Sequence, residues 1–297
     1  MPALAETGGA ALRDYGGAGA PVLFVPSLIN PPRVLDLSTD KSLLRWLSSR
    51  GHRVLLVDWG TPDAARQAMS VADHVERILV PLIETLETPP VLAGYCLGGT
   101  MALAAAARTR VRGVATIAAP WRFSGFPDEA RAKLAALWAA ARPTTEALGL
   151  LPMEVLQSAF WSLDPARTVA KFEAFAALAT DSEQATAFVA LEDWANDGPP
   201  LAGAAARELF EDMFAADLHG REEWLVGGRA VDPAALDIPL LDIVSTVDRI
   251  VPAATAHGLG DRIELALGHV GMIVGSGARD SLWARLDRWL SQVQQGC

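Results

Sequence analysis

The chain has 297 residues, of which 51% are apolar and 20% charged, and its formal net charge at pH 7 is −10. These proportions are typical of a globular protein, and the length is enough for one α/β core with an insertion. The negative charge excludes nonspecific nucleic-acid binding, which needs a basic surface, and it disfavours a polyanionic substrate unless Lys and Arg cluster locally.

Location and partners are limited by what the sequence lacks. No apolar stretch approaches the roughly 20 residues that cross a bilayer. Residues 1–20 show no basic start followed by an apolar run, so no secretory signal is expected, and their Gly and Ala content predicts a flexible arm. The two cysteines, Cys96 and Cys297, are not typical of a disulfide framework and favour the cytoplasm. No cofactor and no metal ion are expected, and a homodimer stays open as an arrangement.

Short apolar runs alternate with amphipathic segments through the first 120 residues. Within the helix predicted at Val71–Leu86, Pro81 should bend the helix or mark its true start. This alternation predicts βαβ units and a mostly parallel sheet flanked by helices. Strands are predicted at Pro21–Val25, Arg53–Val57, Val91–Ala93 and Val114–Ala118, and helices at Lys41–Ser49, Val71–Leu86 and Gly98–Thr109.

The pattern changes after Pro120. Residues 121–228 are mostly helical in character and Ala-rich, and strand character returns at Pro239–Val244 and Ile263–Leu267 before a final helix at Ser281–Gln292. The sequence thus predicts a core of residues 21–120 and 229–297, with residues 121–228 as a helical cap insertion. Either a core role or a role in the substrate wall is open for the tryptophans of this segment, Trp138, Trp161, Trp194 and Trp224.

Cys96 is the candidate nucleophile. An apolar strand leads into Gly94-Tyr95-Cys96-Leu97-Gly98, and a helix follows directly, which is the Gly-x-nucleophile-x-Gly elbow with Cys in place of Ser. The neighbours two before and two after must be small because the turn is sharp. The helix N-terminus directs amides at a bound acyl oxygen and favours a thiolate. As an isolated residue, Cys96 would be interpreted as a small buried apolar side chain.

An elbow nucleophile needs a histidine base and an orienting acid, in the chain order nucleophile, acid, histidine. His269 follows the last predicted strand in a loop of small residues, and Asp248 lies in the loop after the preceding strand. These two are the candidates. His52 and His74 are expected at the surface, His219 and His257 could line the pocket, and Asp242 is interpreted as a feature of the sheet.

The oxyanion hole is expected to combine two backbone amides. The first belongs to Leu97, directly after the nucleophile, and the second to Ile29 in the loop after the first predicted strand. The alternative for that loop is an ordinary turn bounded by prolines.

Several of these segments resemble polyhydroxyalkanoate synthases. Gly94-Tyr95-Cys96-Leu97-Gly98-Gly99 is similar to their Gly-x-Cys-x-Gly-Gly box, and most relatives on that fold use Ser instead. Similar stretches are Val25–Asp63 with its Asp-Trp-Gly, the loops STVDRIVP and GHVGMIVG, and the Trp motif LEDWANDGPP. The resemblance implies an α/β-hydrolase fold, with Cys96 as the acyl-holding thiol, His269 as its base and Asp248 as the partner acid.

The resemblance also implies a 3-hydroxyacyl-CoA substrate and a polyester product. The chain is shorter than typical synthases, so a hydrolase of thioesters or hydroxyalkanoate esters on the same three residues is the alternative. A third hypothesis is a non-catalytic, granule-associated protein, which the retention of all three residues disfavours.

Overall fold

The computed structural model describes residues 1–162 and 165–296. Its centre is an eight-stranded sheet in the order β1-β2-β4-β3-β5-β6-β11-β12, in which β1, β2 and β4 pair antiparallel and the other neighbours pair parallel. The strands of this sheet are β1 Ala3–Thr7, β2 Ala10–Asp14, β3 Ala18–Val25, β4 His52–Asp58, β5 Val91–Tyr95, β6 Gly113–Ile117, β11 Leu240–Ser245 and β12 Asp261–Leu265. Two short pairs complete the strands, β7 Leu150–Leu151 with β8 Leu201–Ala202, and β9 Leu225–Val226 with β10 Arg229–Ala230.

Helices cover both faces of the sheet, so that the central strands are buried on both sides, as parallel strands normally are. The helices are α1 Leu43–Ser49, α2 Val71–His74, α3 Val80–Glu84, α4 Leu97–Ala106, α5 Asp128–Leu148, α6 Met153–Ser162, α7 Pro165–Ala176, α8 Glu183–Asn196, α9 Gly203–Arg207, α10 Gly271–Val274 and α11 Ala284–Gln295. In the described part of the chain, no helix combines the length and apolar character needed to span a membrane.

Each strand and helix predicted in the first 120 residues is present, with ends shifted by a few residues. The helix predicted at Val71–Leu86 is divided by a π-helical turn, Val75–Leu79, which lies directly before Pro81. Proline has no amide to donate to the preceding turn, and a π-turn is one way in which a helix accommodates such an irregularity.

The structure differs from the flexible arm expected over residues 1–20. Here β1 and β2 form a hairpin joined by Gly8 and Gly9, both at positive φ (55° and 76°), as a tight hairpin turn requires. Leu12 is fully buried, and β2 pairs with β4 through Leu12 and Val57. Pairing with β4 and burial of Ala10, Ala11 and Leu12 therefore hold this segment against the sheet despite its Gly-rich composition.

The segment between β6 and β11 holds α5 to α9 and a long π-helical turn, Glu208–Ala215. Trp138 and Trp224 lie in the hydrophobic core of the molecule. The helical character predicted for this segment is therefore found, while its division from the core at residues 121 and 228 stays a prediction.

We predict that Leu12→Ala lowers the free energy of unfolding by about 2–5 kcal/mol, because it removes a fully buried side chain and leaves a cavity. Urea unfolding followed by circular dichroism measures the change. Leu4→Ala is the matched control in the same hairpin, since Leu4 is 47% exposed and should change stability by less than about 0.5 kcal/mol. Equal, negligible effects of both substitutions would mean that the hairpin is not docked.

Candidate active site

Cys96 occupies the sharp turn between β5 and α4. Its backbone adopts φ 56° and ψ −133°, a conformation that costs a non-glycine residue free energy and persists only when the surroundings enforce it. The Cys96 amide donates to Ile117 O of β6 at 2.9 Å, and its carbonyl accepts from the Gly99 amide at 2.8 Å. The thiol is thus held at the carboxyl end of the sheet, and the side chain is half-buried.

Three glycines make this turn possible by close backbone approach. A Cβ on Gly94 would overlap the Gly99 Cα, and one on Gly98 would overlap the Val25 carbonyl oxygen. A Cβ on Gly99 would overlap the Ala119 side chain. The small residues predicted around the nucleophile are therefore required by contacts among β3, β5 and α4.

The loops after β11 and β12 bring Asp248 and His269 together. His269 Nδ1 lies 2.7 Å from Asp248 Oδ2, and both residues are buried. The other carboxylate oxygen, Oδ1, accepts the amides of Ile250 at 2.8 Å and Val251 at 3.0 Å. Because the ionised carboxylate only accepts, Nδ1 carries a proton, which directs Nε2 away from Asp248.

The Cys96 side chain is the second partner of the His269 ring. Burial alone would lower the pKa of His269, but the negative charge on Cys96, hydrogen bonds to Asp248 and Cys96, and the charge of Asp248 raise it from 6.5 to about 10. The imidazolium form is therefore favoured at neutral pH while both neighbours carry negative charge.

Tyr95 fixes the orientation of this imidazole. Its ring stacks on the His269 ring, with centroids 4.9 Å apart and planes 27° apart, and its hydroxyl donates to the His269 carbonyl at 3.2 Å. Burial raises the pKa of Tyr95 well above 10, so the phenol stays a neutral donor. Sequence reasoning missed this residue because the position before the nucleophile in the elbow carries no required residue type.

The two predicted oxyanion donors differ in their environment. Leu97 is the first residue of α4, so its amide belongs to the N–H groups that have no acceptor within the helix. The Ile29 amide instead donates to Ser27 Oγ at 3.1 Å, since the Ser27 hydroxyl closes a short turn two residues earlier. The Ile29 amide thus has an acceptor of its own, and Leu97 and Ile29 both stay predicted donors.

A cavity of about 730 Å³ opens onto Cys96, Asp248 and His269. Its outer wall comes from α6, α7 and α8, including Trp161, Phe188 and Trp194. The Trp194 indole donates to Pro31 O at 2.8 Å and ties α8 to the loop after β3. Two of the five tryptophans in the predicted cap, Trp161 and Trp194, thus line the cavity, and the Trp motif seen in the sequence is part of that wall.

Charged side chains also line this cavity. Lys41, Lys171 and Arg249 are basic, and Lys171 binds Glu192 at 2.7 and 2.8 Å. Basic side chains therefore line the cavity despite the overall negative charge, and one of them, Lys171, is already paired with an acidic residue.

The remaining histidines lie away from Cys96, and none of them lines its cavity. His52 and His74, expected at the surface, are both buried. His52 contacts Asp287 at 2.8 Å, and His74 Nδ1 donates to Ser70 O at 2.7 Å. The sequence pattern could not predict the burial of these two histidines, because each lies at the end of an amphipathic segment whose packing partner is distant in sequence.

His219 and His257 are likewise buried, each within its own local environment. His219 stacks on Trp224 with ring centroids 4.1 Å apart, and His257 contacts Thr116 at 2.9 Å near Asp242. Asp242 accepts the Gly258 amide at 3.1 Å, in agreement with a role in the sheet. Within residues 1–162 and 165–296 no three His, Cys, Asp or Glu side chains are grouped as metal ligands, and Cys297 lies outside the described residues.

Comparison with known proteins identifies a family and several related polymerase subunits. Residues 22–279 match the family model described as "Alpha/beta hydrolase family". The chain is 28% identical to the poly(3-hydroxyalkanoate) polymerase subunit PhaC of Haloferax mediterranei, over 92% of this chain and 58% of that protein. It is 27% identical to PhaC of Haloarcula marismortui, over 98% and 65%, and 28% identical to PhaC of Allochromatium vinosum, over 92% and 81%. The chain therefore spans about three fifths of the first two relatives.

The solved structures that superimpose on this chain have low sequence identity to it, so they support its fold and not its function. An enol-lactonase from Burkholderia xenovorans LB400 superimposes with a TM-score of 0.62 at 16% identity, covering 95% of this chain and 96% of that one. A thermophilic esterase from Thermogutta terrifontis gives a TM-score of 0.55 at 19% identity, covering 96% and 94%.

We predict that His269 remains protonated through neutral pH and titrates near pH 10, whereas His74 and His219 titrate near pH 4 and pH 3 because burial lowers their pKa values. NMR titration of protein labelled at histidine Cε1 measures all three, and His269→Gln identifies the signal. Asp248→Asn should lower the His269 midpoint, since it removes a negative charge and a hydrogen bond. A His269 midpoint near 6.5 in the wild type would contradict the ion-pair geometry.

We also predict that Tyr95→Phe lowers turnover about two- to tenfold, the range expected for one neutral hydrogen bond, because the ring still stacks on His269. Steady-state kinetics with the unfolding temperature as a control measures this. If Tyr95→Phe leaves kcat unchanged and alters only KM, the result would argue against a role in orienting His269.

Proposed function

Because this chain belongs to the alpha/beta hydrolase family, we propose that it is an acyltransferase resembling polyhydroxyalkanoate synthase, which moves a 3-hydroxyacyl group from CoA through a thioester on Cys96. The single observation that carries the proposal is the elbow geometry: a cysteine at φ 56° that interacts with a histidine 2.7 Å from a buried aspartate. The similarity to PhaC polymerase subunits supports the substrate class.

In the first half-reaction, His269 already holds the proton of the Cys96 thiol, and the thiolate attacks the carbonyl carbon of the acyl-CoA thioester. We assign stabilisation of the oxyanion to the amide of Leu97, because the first amide of α4 has no acceptor within the helix. The CoA sulfur then leaves and takes the proton from His269. The products are acyl-Cys96 and free CoA, and Asp248 keeps the imidazole in one tautomer throughout.

In the second half-reaction, His269 accepts the proton of an incoming hydroxyl group, whose oxygen attacks the acyl-Cys96 thioester. The Cys96 sulfur leaves as the thiolate, and His269 keeps the proton, which restores the starting ion pair. When the hydroxyl belongs to a second hydroxyacyl chain, an ester forms and the chain grows by one unit. A thioester suits this role because it stays reactive while it waits for the acceptor.

The lining of the cavity supports an acyl-CoA ligand. Apolar side chains such as Phe160 and Phe188 would contact an acyl chain, and Lys41 supplies positive charge for a phosphate group. A small acyl-CoA or hydroxyalkanoate ester is thus the proposed ligand. The cytoplasmic location and the homodimer stay predictions.

One observation favours hydrolysis as a second candidate function. Trp161 in the cavity wall is 48% exposed and Cys96 is only partly buried, from which we infer that water can reach acyl-Cys96. If water attacks faster than a hydroxyacyl chain, the same three residues release a free hydroxy acid.

We predict that incubation with 3-hydroxybutyryl-CoA releases free CoA and adds one hydroxyacyl group to the protein, detected by intact-protein mass spectrometry. Cys96→Ala should abolish the adduct, and His269→Ala should slow its formation by about 10²-fold or more, the scale expected for losing a general base. A Cys96→Ala protein that still forms the adduct would place the nucleophile elsewhere.

The product of the same reaction separates the two candidate functions. Size-exclusion analysis that finds polyester supports the acyltransferase, and monomeric hydroxy acid supports the hydrolase. Release of CoA without either product would contradict both.

A further inference from the structure

A second cavity of about 190 Å³ lies beside the loop that follows β3. Ser27, Asn30 and Pro31 line both cavities, whereas Cys96 and His269 line only the larger one. The loop therefore separates the two spaces, and the smaller cavity takes no part in the acyl-transfer chemistry proposed above.

Arg66 is the feature of this cavity that calls for a ligand. Its side chain lines the space although the residue is only 2% exposed. One guanidinium nitrogen, Nη1, donates to the Trp59 carbonyl, while Nε has no hydrogen-bond partner in the described structure. Removing a cation from water without an anion is costly, so a buried guanidinium is normally paired.

The nearby carboxylates do not neutralise this cation. Asp58 lines the cavity, but its carboxylate accepts hydrogen bonds from Nε and Nη2 of Arg13, both at 3.1 Å. Asp63 accepts the backbone amide of Arg66 at 3.0 Å, and its charge partly offsets the burial that lowers the pKa of Arg66. Within residues 1–162 and 165–296, however, no carboxylate forms an ion pair or hydrogen bond with the Arg66 guanidinium. The positive charge of Arg66 is therefore left for another acceptor.

His74 lines the same cavity without adding charge. Burial and the neighbouring Arg66 lower the pKa of His74 to about 4, so the ring is neutral at pH 7. Its Nδ1 donates to Ser70 O, which leaves Nε2 as an acceptor. Arg66 thus provides a cationic donor and His74 a neutral acceptor, and the remaining polar lining consists of Ser27, Asn30, Thr61 and the Arg13-paired Asp58.

The rest of the lining is mainly apolar and contains Leu28, Pro62, Pro199 and Leu201. A phosphate would place oxygen atoms against these walls, whereas a short apolar chain ending in a carboxylate would satisfy both the walls and Arg66. We propose that this cavity binds a short-chain carboxylate, with its anionic end on the Arg66 guanidinium and its chain against the prolines and leucines.

Isothermal titration calorimetry with butyrate, butyramide and inorganic phosphate tests the proposal on the unmodified protein. Butyrate should bind, while the neutral amide of the same shape should bind at least about tenfold more weakly, because charge-assisted hydrogen bonds to Arg are lost. Absence of butyrate binding, equal binding of butyramide, or binding of phosphate in place of butyrate would each overturn the assignment.

Two variants locate the site. Arg66→Met should weaken butyrate binding by about tenfold or more and leave CoA release from the acyl-CoA substrate unchanged. Arg288→Met removes an exposed arginine of α11 and should keep wild-type affinity for butyrate. Butyrate binding that survives Arg66→Met would assign it to the larger cavity and refute the proposal. If Arg66→Met does not fold, the wild-type protein is assayed for CoA release in the presence of butyrate. Competitive inhibition against the acyl-CoA substrate would place butyrate in the larger cavity and refute the proposal, whereas butyrate binding without competition supports it.

Discussion

The backbone turn at Cys96 is the constraint on which the rest of the site depends. A cysteine at positive φ is stable only where neighbouring chains leave no other path, and here α4 lies so close to β3 and β5 that glycine is required at 94, 98 and 99. The same approach brings the first amides of α4 next to the loop after β3. The position of the sulfur, the helix N-terminus and the floor of the cavity are thus consequences of one packing arrangement.

The electrostatic part of the site comes from a different region of the chain. Asp248 and His269 arrive on loops after the last two strands, and each is buried, which would be unfavourable for either charge alone. Asp248 is stabilised by the amides of Ile250 and Val251, and its charge in turn supports the imidazolium. Tyr95 links the two regions, since it precedes the nucleophile and bonds the carbonyl of His269.

Much of this arrangement follows from local sequence signals. The strand, turn and helix around Cys96 are readable because glycine spacing and apolar runs are local, and chain order identifies Asp248 and His269. The hairpin at residues 3–14 and the contact of Ile29 with Ser27 are not readable, since the first depends on β4 and the second on a side-chain rotamer. The burial of Arg66 and His74 also depends on segments far apart in sequence.

The two outer strands of the main sheet bear on solubility. Unpaired strand edges invite pairing with another molecule, and proteins discourage this with irregularities or charge. On one side β1 is short, carries Glu6 and has a register irregularity between Ala3 and Ala5. On the other side β12 exposes Asp261, Arg262 and Glu264. Sheet-to-sheet aggregation is thereby opposed at both edges, by a break in regularity at one and by charge repulsion and hydration at the other.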